Sequence, residues 1–173
     1  GEITKKLIPL LKAHGVEILV NSSYIDEKLA KAMEVKNATM AEVLRADVVS
    51  LQRGLSPRTE RSFGSQEINS LKGGAVFINS GRAGLVDNDA LFQRLKKGDI
   101  FACLDVFDIE PLPAQDKFRK LPNVFLTSHI AGSVHHIQGL LEQATDDLIS
   151  KLARYVEGDR SVVLSKEQFK NMT

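Results

Sequence analysis

Ala75-Val76-Phe77-Ile78-Asn79-Ser80-Gly81-Arg82-Ala83-Gly84-Leu85-Val86-Asp87 is the stretch on which the fold turns. Ala75 to Ile78 form an unbroken apolar run, and Gly73-Gly74 mark a turn in front of it. A strand that is apolar along its whole length is buried on both faces, as in a parallel sheet. At the far end, Asp87 can cap a helix predicted to reach about Lys97 and to stop at Gly98. Strand, glycine-rich turn and helix follow one another, and Arg82 lies just past the carboxyl end of the strand. Open α/β sheets bind their ligands at that end.

The same alternation extends outward in both directions. Upstream, Ile3, Leu7, Leu10 and Leu11 share one stripe of a helix stopped near Gly15. Val16 to Val20 read as a strand, Asn21-Ser22-Ser23 as a turn, and Asp26 to Met33 as a helix. Thr39 and Glu42 have capping-box spacing and open a short helix through Arg45. Asp47 to Leu51 form the next predicted strand, followed by a Gly/Ser/Pro/Arg loop to Ser65 and a short helix over Gln66 to Leu71. Downstream come strands over Ile100 to Val106 and Val124 to Thr127, then an amphipathic helix over Ser133 to Val156 ending at Gly158. The pattern predicts a Rossmann-like, doubly wound parallel α/β sheet with helices on both faces. Gly1-Glu2-Ile3-Thr4, directly before a helix, has the look of the second half of a G-x-G-x-x-G fingerprint. The expectation is therefore a sheet truncated at its first strand.

Bulk properties narrow the function. The chain has 173 residues, 43% hydrophobic and 26% charged, which suits one globular domain. Net charge is +1, from 23 basic and 22 acidic residues, with no basic block or aromatic-interleaved stripe, so nucleic acid is not expected as a partner. No apolar run is long enough to cross a bilayer, and no membrane partner is expected. The single cysteine, Cys103, sits in an apolar run and reads as a small buried hydrophobe in a reducing, cytoplasmic compartment. Without CxxC or a close His/Cys/carboxylate set, no metal is expected.

Three segments carry chemistry. The first is Ile78 to Asp87, whose Arg82 can grip a carboxylate through two parallel hydrogen bonds while neighbouring glycines admit a ligand closely. The second, Leu104-Asp105-Val106-Phe107-Asp108-Ile109-Glu110-Pro111, again sets carboxylates at a strand end. The third, Leu121 to Gly132, delivers His129 at the end of the last strand. Reducing a ketone by hydride needs a proton donor at the developing alkoxide, and histidine suits that role near neutral pH. A neighbouring carboxylate would hold the ring and favour its charged form. His14, His135 and His136 carry no such context. Phe101, Phe107, Phe118 and Phe125 read as core or cleft wall, and Lys5-Lys6 and Lys96-Lys97 as solvated helix faces.

These segments resemble the D-isomer-specific 2-hydroxyacid dehydrogenases, a family that includes phosphoglycerate, glycerate, D-lactate and formate dehydrogenases. The family's Asn-Thr-(Ala/Ser)-Arg-Gly-Gly-Leu-Val-Asp is similar to Asn79–Asp87, its Leu-Asp-Val-Phe-x-x-Glu-Pro to Leu104–Pro111, and its Thr-Pro-His-Ile-Ala-Gly to Thr127–Gly132. The likeness runs from Gly1 to about Gly158. It implies that Arg82 binds the substrate carboxylate and carbonyl, that His129 is the general acid/base, and that Glu110 is its carboxylate partner. Asp105 would meet the nicotinamide carboxamide, with Ser80, Gly81, Arg82 and His129 alongside and Gly132 next to the ring. Backbone at Gly1, Glu2 and Ile3 would meet the pyrophosphate, and the loop Leu51–Thr59, including Gly54 and Thr59, would line the cofactor.

Two departures bear on the cofactor. Ser22 stands where the family usually has an acid for the ribose hydroxyls, which admits NADP beside NAD. Gly54 replaces a proline and Gln52 a histidine of the cofactor loop, which predicts a looser contact. The resemblance implies an NAD(P)-binding domain over 1–158, a tail over 159–173, and a substrate domain mostly outside this chain, so that the chain alone is expected to be inactive. The whole protein would be a homodimeric oxidoreductase acting on a small D-2-hydroxy or 2-oxo acid. The rival expectation is an NAD-sensing scaffold of the kind formed by the C-terminal-binding-protein corepressors, which retain the same three residues.

Overall fold

A computed structural model of the chain describes residues 1–132 and 137–162. Helix α1 (Glu2–Lys12) leads into strand β1 (Leu19–Val20), helix α2 (Glu27–Met33) and strand β2 (Lys36–Asn37). Helix α3 (Met40–Val43), strand β3 (Val48–Leu51), helix α4 (Ser65–Asn69) and strand β4 (Val76–Asn79) follow. Then come helix α5 (Asn88–Leu95), strand β5 (Phe101–Leu104), strand β6 (Val124–Leu126) and helix α6 (Ile137–Val156). The caps predicted at Thr39–Glu42 and Asp87 are in place, and Asp26 adds another. The Asp26 side chain accepts from the Leu29 amide and that of Asp87 from the Ala90 amide, while Thr39 and Glu42 form a complete capping box. The helix predicted over Ser133 to Val156 is described from Ile137 onward, and His135 and His136 lie outside the described residues.

All strand pairs are parallel, in two sheets ordered β1-β2 and β3-β4-β5-β6. Each crossover in the larger sheet steps the same way, and right-handed connections stepping one way deposit their helices on one face. Helices α4 and α5 and the turn holding Phe118 therefore bury a single face. Its core holds Val49, Phe77, Ala102 and Leu104 from the strands with Ile68, Leu91, Leu95 and Ile100, and Phe63 stacks on Phe77 with ring centroids 5.0 Å apart.

The four-stranded parallel sheet with its flanking helices is the expected Rossmann-like α/β fold. On the second face Val48, Phe101 and Phe125 are 55%, 52% and 66% exposed. Helix α2 packs on β2, whereas Met40, Val43 and Leu44 of the α3 segment pack against the core of the larger sheet. Phe118 is buried and Phe107 packs against the core, whereas Phe101 and Phe125 do neither. The apolar phase of α1 is also shifted. Ile3 and Leu10 are exposed, and Ile8 is the buried residue. Strand β2, two exposed polar residues, has no counterpart in the sequence reading.

Candidate active site

Three neighbouring strands, β4, β5 and β6, end side by side, and each delivers one predicted site residue within a few positions of its last residue. Beyond β4, the buried Asn79 donates from Nδ2 to the Arg82 carbonyl at 3.0 Å and accepts from the Gly81 amide at 3.1 Å. This closes the Ser80–Arg82 turn. Arg82 itself is exposed, its Nη1 donates to the Gly81 carbonyl at 2.8 Å, and it forms no ion pair among the described residues. The guanidinium keeps donors free for an incoming carboxylate.

Beyond β5, Asp105 is only 4% exposed. Its Oδ1 accepts from the Thr127 hydroxyl at 2.5 Å and from the Ile130 amide at 2.8 Å, and its Oδ2 from the Ala131 amide at 2.9 Å. Burial works against the charge, but these bonds outweigh it and hold the Asp105 carboxyl below the usual range. A carboxylate has about four acceptor sites, so Oδ2 can still meet one further donor, such as a carboxamide. Its main occupation is local: it staples both sides of the turn that bears His129.

Beyond β6, His129 adopts φ +58, the left-handed region that few non-glycine residues enter. The bonds to Asp105 flank that turn. His129 Nδ1 lies 2.7 Å from Glu110 Oε2, and both side chains are partly exposed. Glu110 Oε1 accepts from the Phe107 amide at 2.9 Å. The bond from His129 and then that from Phe107 hold the Glu110 carboxyl below its ordinary value. With Nδ1 engaged, Nε2 is the atom left to exchange a proton with a ligand. Asp108, the other acid of this segment, is taken by the Asn88 side chain at 2.9 and 3.0 Å.

The remaining predicted positions lie in α1 and in loops that follow the strands. Gly1, the N-cap of α1, makes no side-chain cap hydrogen bond, and Glu2 and Ile3 stand in the first turn. Ser22 follows β1, and its hydroxyl oxygen accepts from the Tyr24 amide at 3.2 Å, leaving its hydrogen to be donated. In the loop after β3, Thr59 donates to the Gly54 carbonyl at 2.8 Å and accepts from the Ser56 amide at 2.7 Å. The loop is thus tied without the family's proline, and the Thr59 hydroxyl is spent inside it. The Arg61 amide also donates to the Gly84 carbonyl at 2.8 Å, joining this loop to the one that follows Arg82. Gly132 is exposed, with open space around it. The sequence reading passed over Asn79 and Thr127 as actors. Their signal was a polar side chain set at the end of an apolar strand.

Residues 1–131 match the family model described as D-isomer specific 2-hydroxyacid dehydrogenase, NAD binding domain. The chain belongs to that family. D-3-phosphoglycerate dehydrogenase of Methanocaldococcus jannaschii is 33% identical over 157 residues, 89% of this chain and 30% of that protein. Glyoxylate reductase of Korarchaeum cryptofilum is 33% identical over 153 residues, 87% of this chain and 46% of that protein. Among solved structures, D-lactate dehydrogenase with NAD+ from Lactobacillus jensenii superimposes with a TM-score of 0.77 at 25% identity, covering 96% of this chain and 53% of that one. The chain spans between 30% and 53% of the length of these relatives.

This 2-hydroxyacid dehydrogenase domain is of the NAD-binding type, and its residues suit a dinucleotide. The amide end of α1, whose N-cap makes no side-chain bond, suits a pyrophosphate through its first-turn N–H groups and the helix dipole. The Ser22 hydroxyl stands at the neighbouring strand end, beyond β1. Among the described residues no helix is long and apolar enough to cross a membrane, and no His/Cys/Asp/Glu group could hold a metal.

Proposed function

We propose that the protein containing this domain is an NAD-dependent oxidoreductase interconverting a small D-2-hydroxy acid and its 2-oxo acid. One observation carries the reading: a histidine–carboxylate pair 2.7 Å apart, at the edge of the sheet where the next strand but one ends in an unpaired arginine. Arg82 grips the substrate carboxylate and orients the adjacent carbonyl. In reduction, His129 gives its Nε2 proton to the carbonyl oxygen as a C–H bond forms at the carbonyl carbon and the C=O π pair moves to oxygen. In oxidation the same nitrogen takes the hydroxyl proton back. Glu110 holds the ring through Nδ1. NAD, when bound, takes up or supplies the hydride. Gly1, Glu2 and Ile3 amides would hold its pyrophosphate, Ser22 its ribose, the Gly54–Thr59 loop its flank, and Ser80, Gly81, Asp105 and Gly132 its nicotinamide end.

Glyoxylate and hydroxypyruvate, which appear in the names of relatives, lead the substrate candidates. The replacement of the usual acid by Ser22 supports use of NADP as well as NAD. A homodimer in the cytoplasm is the assembly we propose. The free thiol of Cys103 suits a reducing compartment, and the exposed apolar residues Leu148, Ile149 and Leu152 of α6 suit a surface covered by more polypeptide. The test is oxidation of NADH and NADPH by the natural protein across a panel of 2-oxo acids. Saturable turnover of at least one supports the reading. Tight NADH binding with no turnover of any would favour a sensor instead.

A further inference from the structure

Among the described residues the buried polar or charged side chains are Asn79, Arg94 and Asp105, and Asn79 is 2% exposed. A buried amide in a strand is costly unless its groups are paired. Here both ends are used on the same short segment: Nδ2 donates to the Arg82 carbonyl, and Oδ1 accepts from the Gly81 amide. Neither bond reaches a neighbouring strand or helix. The Asn79 carbonyl in turn accepts from the Asp105 amide at 3.0 Å, tying this turn to the residue that staples the His129 turn. Gly81 does not make the turn by itself, since a Cβ there would meet its neighbours at an ordinary 3.7 Å.

We infer that Asn79 is a positioning residue for Arg82: its side chain fixes the turn that aims the guanidinium, and through it sets recognition of the substrate carboxylate. The inference rests on the proposed role of Arg82 as carboxylate ligand. A residue that merely filled space in β4 would use neither amide atom on the Gly81–Arg82 turn.

Two variants of the natural protein test it. Asn79→Leu keeps the volume and loses both bonds, whereas Asn79→Asp keeps the acceptor for the Gly81 amide and loses the donor to Arg82. In Asn79→Leu, kcat/KM for a 2-oxo acid should fall by about tenfold or more, with a smaller fall in Asn79→Asp. Both effects should vanish in an Arg82→Ala background, because interacting residues are not additive. Hydrogen exchange at the Gly81 amide should accelerate in Asn79→Leu and stay protected in Asn79→Asp. Full additivity with Arg82→Ala, or unchanged Gly81 exchange in Asn79→Leu, overturns the inference. If the natural protein turned over no 2-oxo acid, the proposed function would fail, while Gly81 exchange would still decide whether Asn79 holds the turn.

Discussion

At the scale of single residues, the proposed site would separate groups that touch ligand from groups that hold them. Glu110 belongs to the second kind. Its carboxyl is held low first by the bond from His129. Glu110→Gln loses the charged acceptor that fixes the His129 ring, so kcat for a 2-oxo acid should fall by about tenfold or more with NADH binding retained, and an unchanged kcat would make Glu110 merely structural. Ser22 tests the cofactor. An acid at this strand end would accept charge-assisted bonds from ribose hydroxyls, worth on the order of 1.5–3 kcal/mol, and would repel a 2′-phosphate. Ser22→Asp should move the kcat/KM ratio of NADH over NADPH towards NADH by at least about tenfold. No change in that ratio would mean that Ser22 does not face the ribose. Arg82, Glu110 and His129 were legible because strand-end position and residue type together restrict the chemistry. Asn79 and Asp105 were only half legible, because a buried polar group declares its partners only once the turns beside it are folded.

At the scale of elements, the turn from Thr127 to Ala131 depends on Asp105, and acid should reveal it. The Asp105 carboxyl lies lower folded than unfolded, so it adds stability above its unfolded value near pH 3.9, and that share is lost as pH falls through the folded value. Asp105→Asn would set an amide N–H against a backbone N–H and should cost about 1–3 kcal/mol at pH 7. Urea unfolding at pH 7 and pH 3 checks this: the gap between variant and parent should narrow in acid, and a gap independent of pH would remove the charge from the account. Helix starts at Thr39–Glu42 and Asp87 were legible because capping residues act over three positions. Element faces were read less well. Thr4, Leu7, Ile8 and Leu11 also recur at three- and four-residue helical spacing, and only tertiary contact selects Ile8. Strand β2 is a polar pair held by the backbone of β1, with no hydrophobic pattern to announce it.

At the scale of the whole molecule, one buried cation ties α5 to the end of α4. Arg94 donates to the carbonyls of Asn69 and Leu71 at 2.9 and 3.0 Å and pairs with Asp99 at 2.9 Å. Arg94→Leu would strand those carbonyls and should cost about 1–3 kcal/mol in chemical denaturation, with no change in KM for a 2-oxo acid. An equal loss of substrate affinity would place Arg94 in the site after all. The two-sheet arrangement belongs to this scale too. Strand β1 pairs on one side with β2, and β3 on one side with β4, so each keeps a free edge. The central claim is that His129 exchanges the substrate proton at an edge shared with Arg82. Its most direct test is kcat for glyoxylate or hydroxypyruvate with NADH, measured in the natural protein and in His129→Ala. The account predicts a fall of roughly 10²–10⁴-fold with NADH binding retained. Turnover by His129→Ala at the natural rate would contradict it.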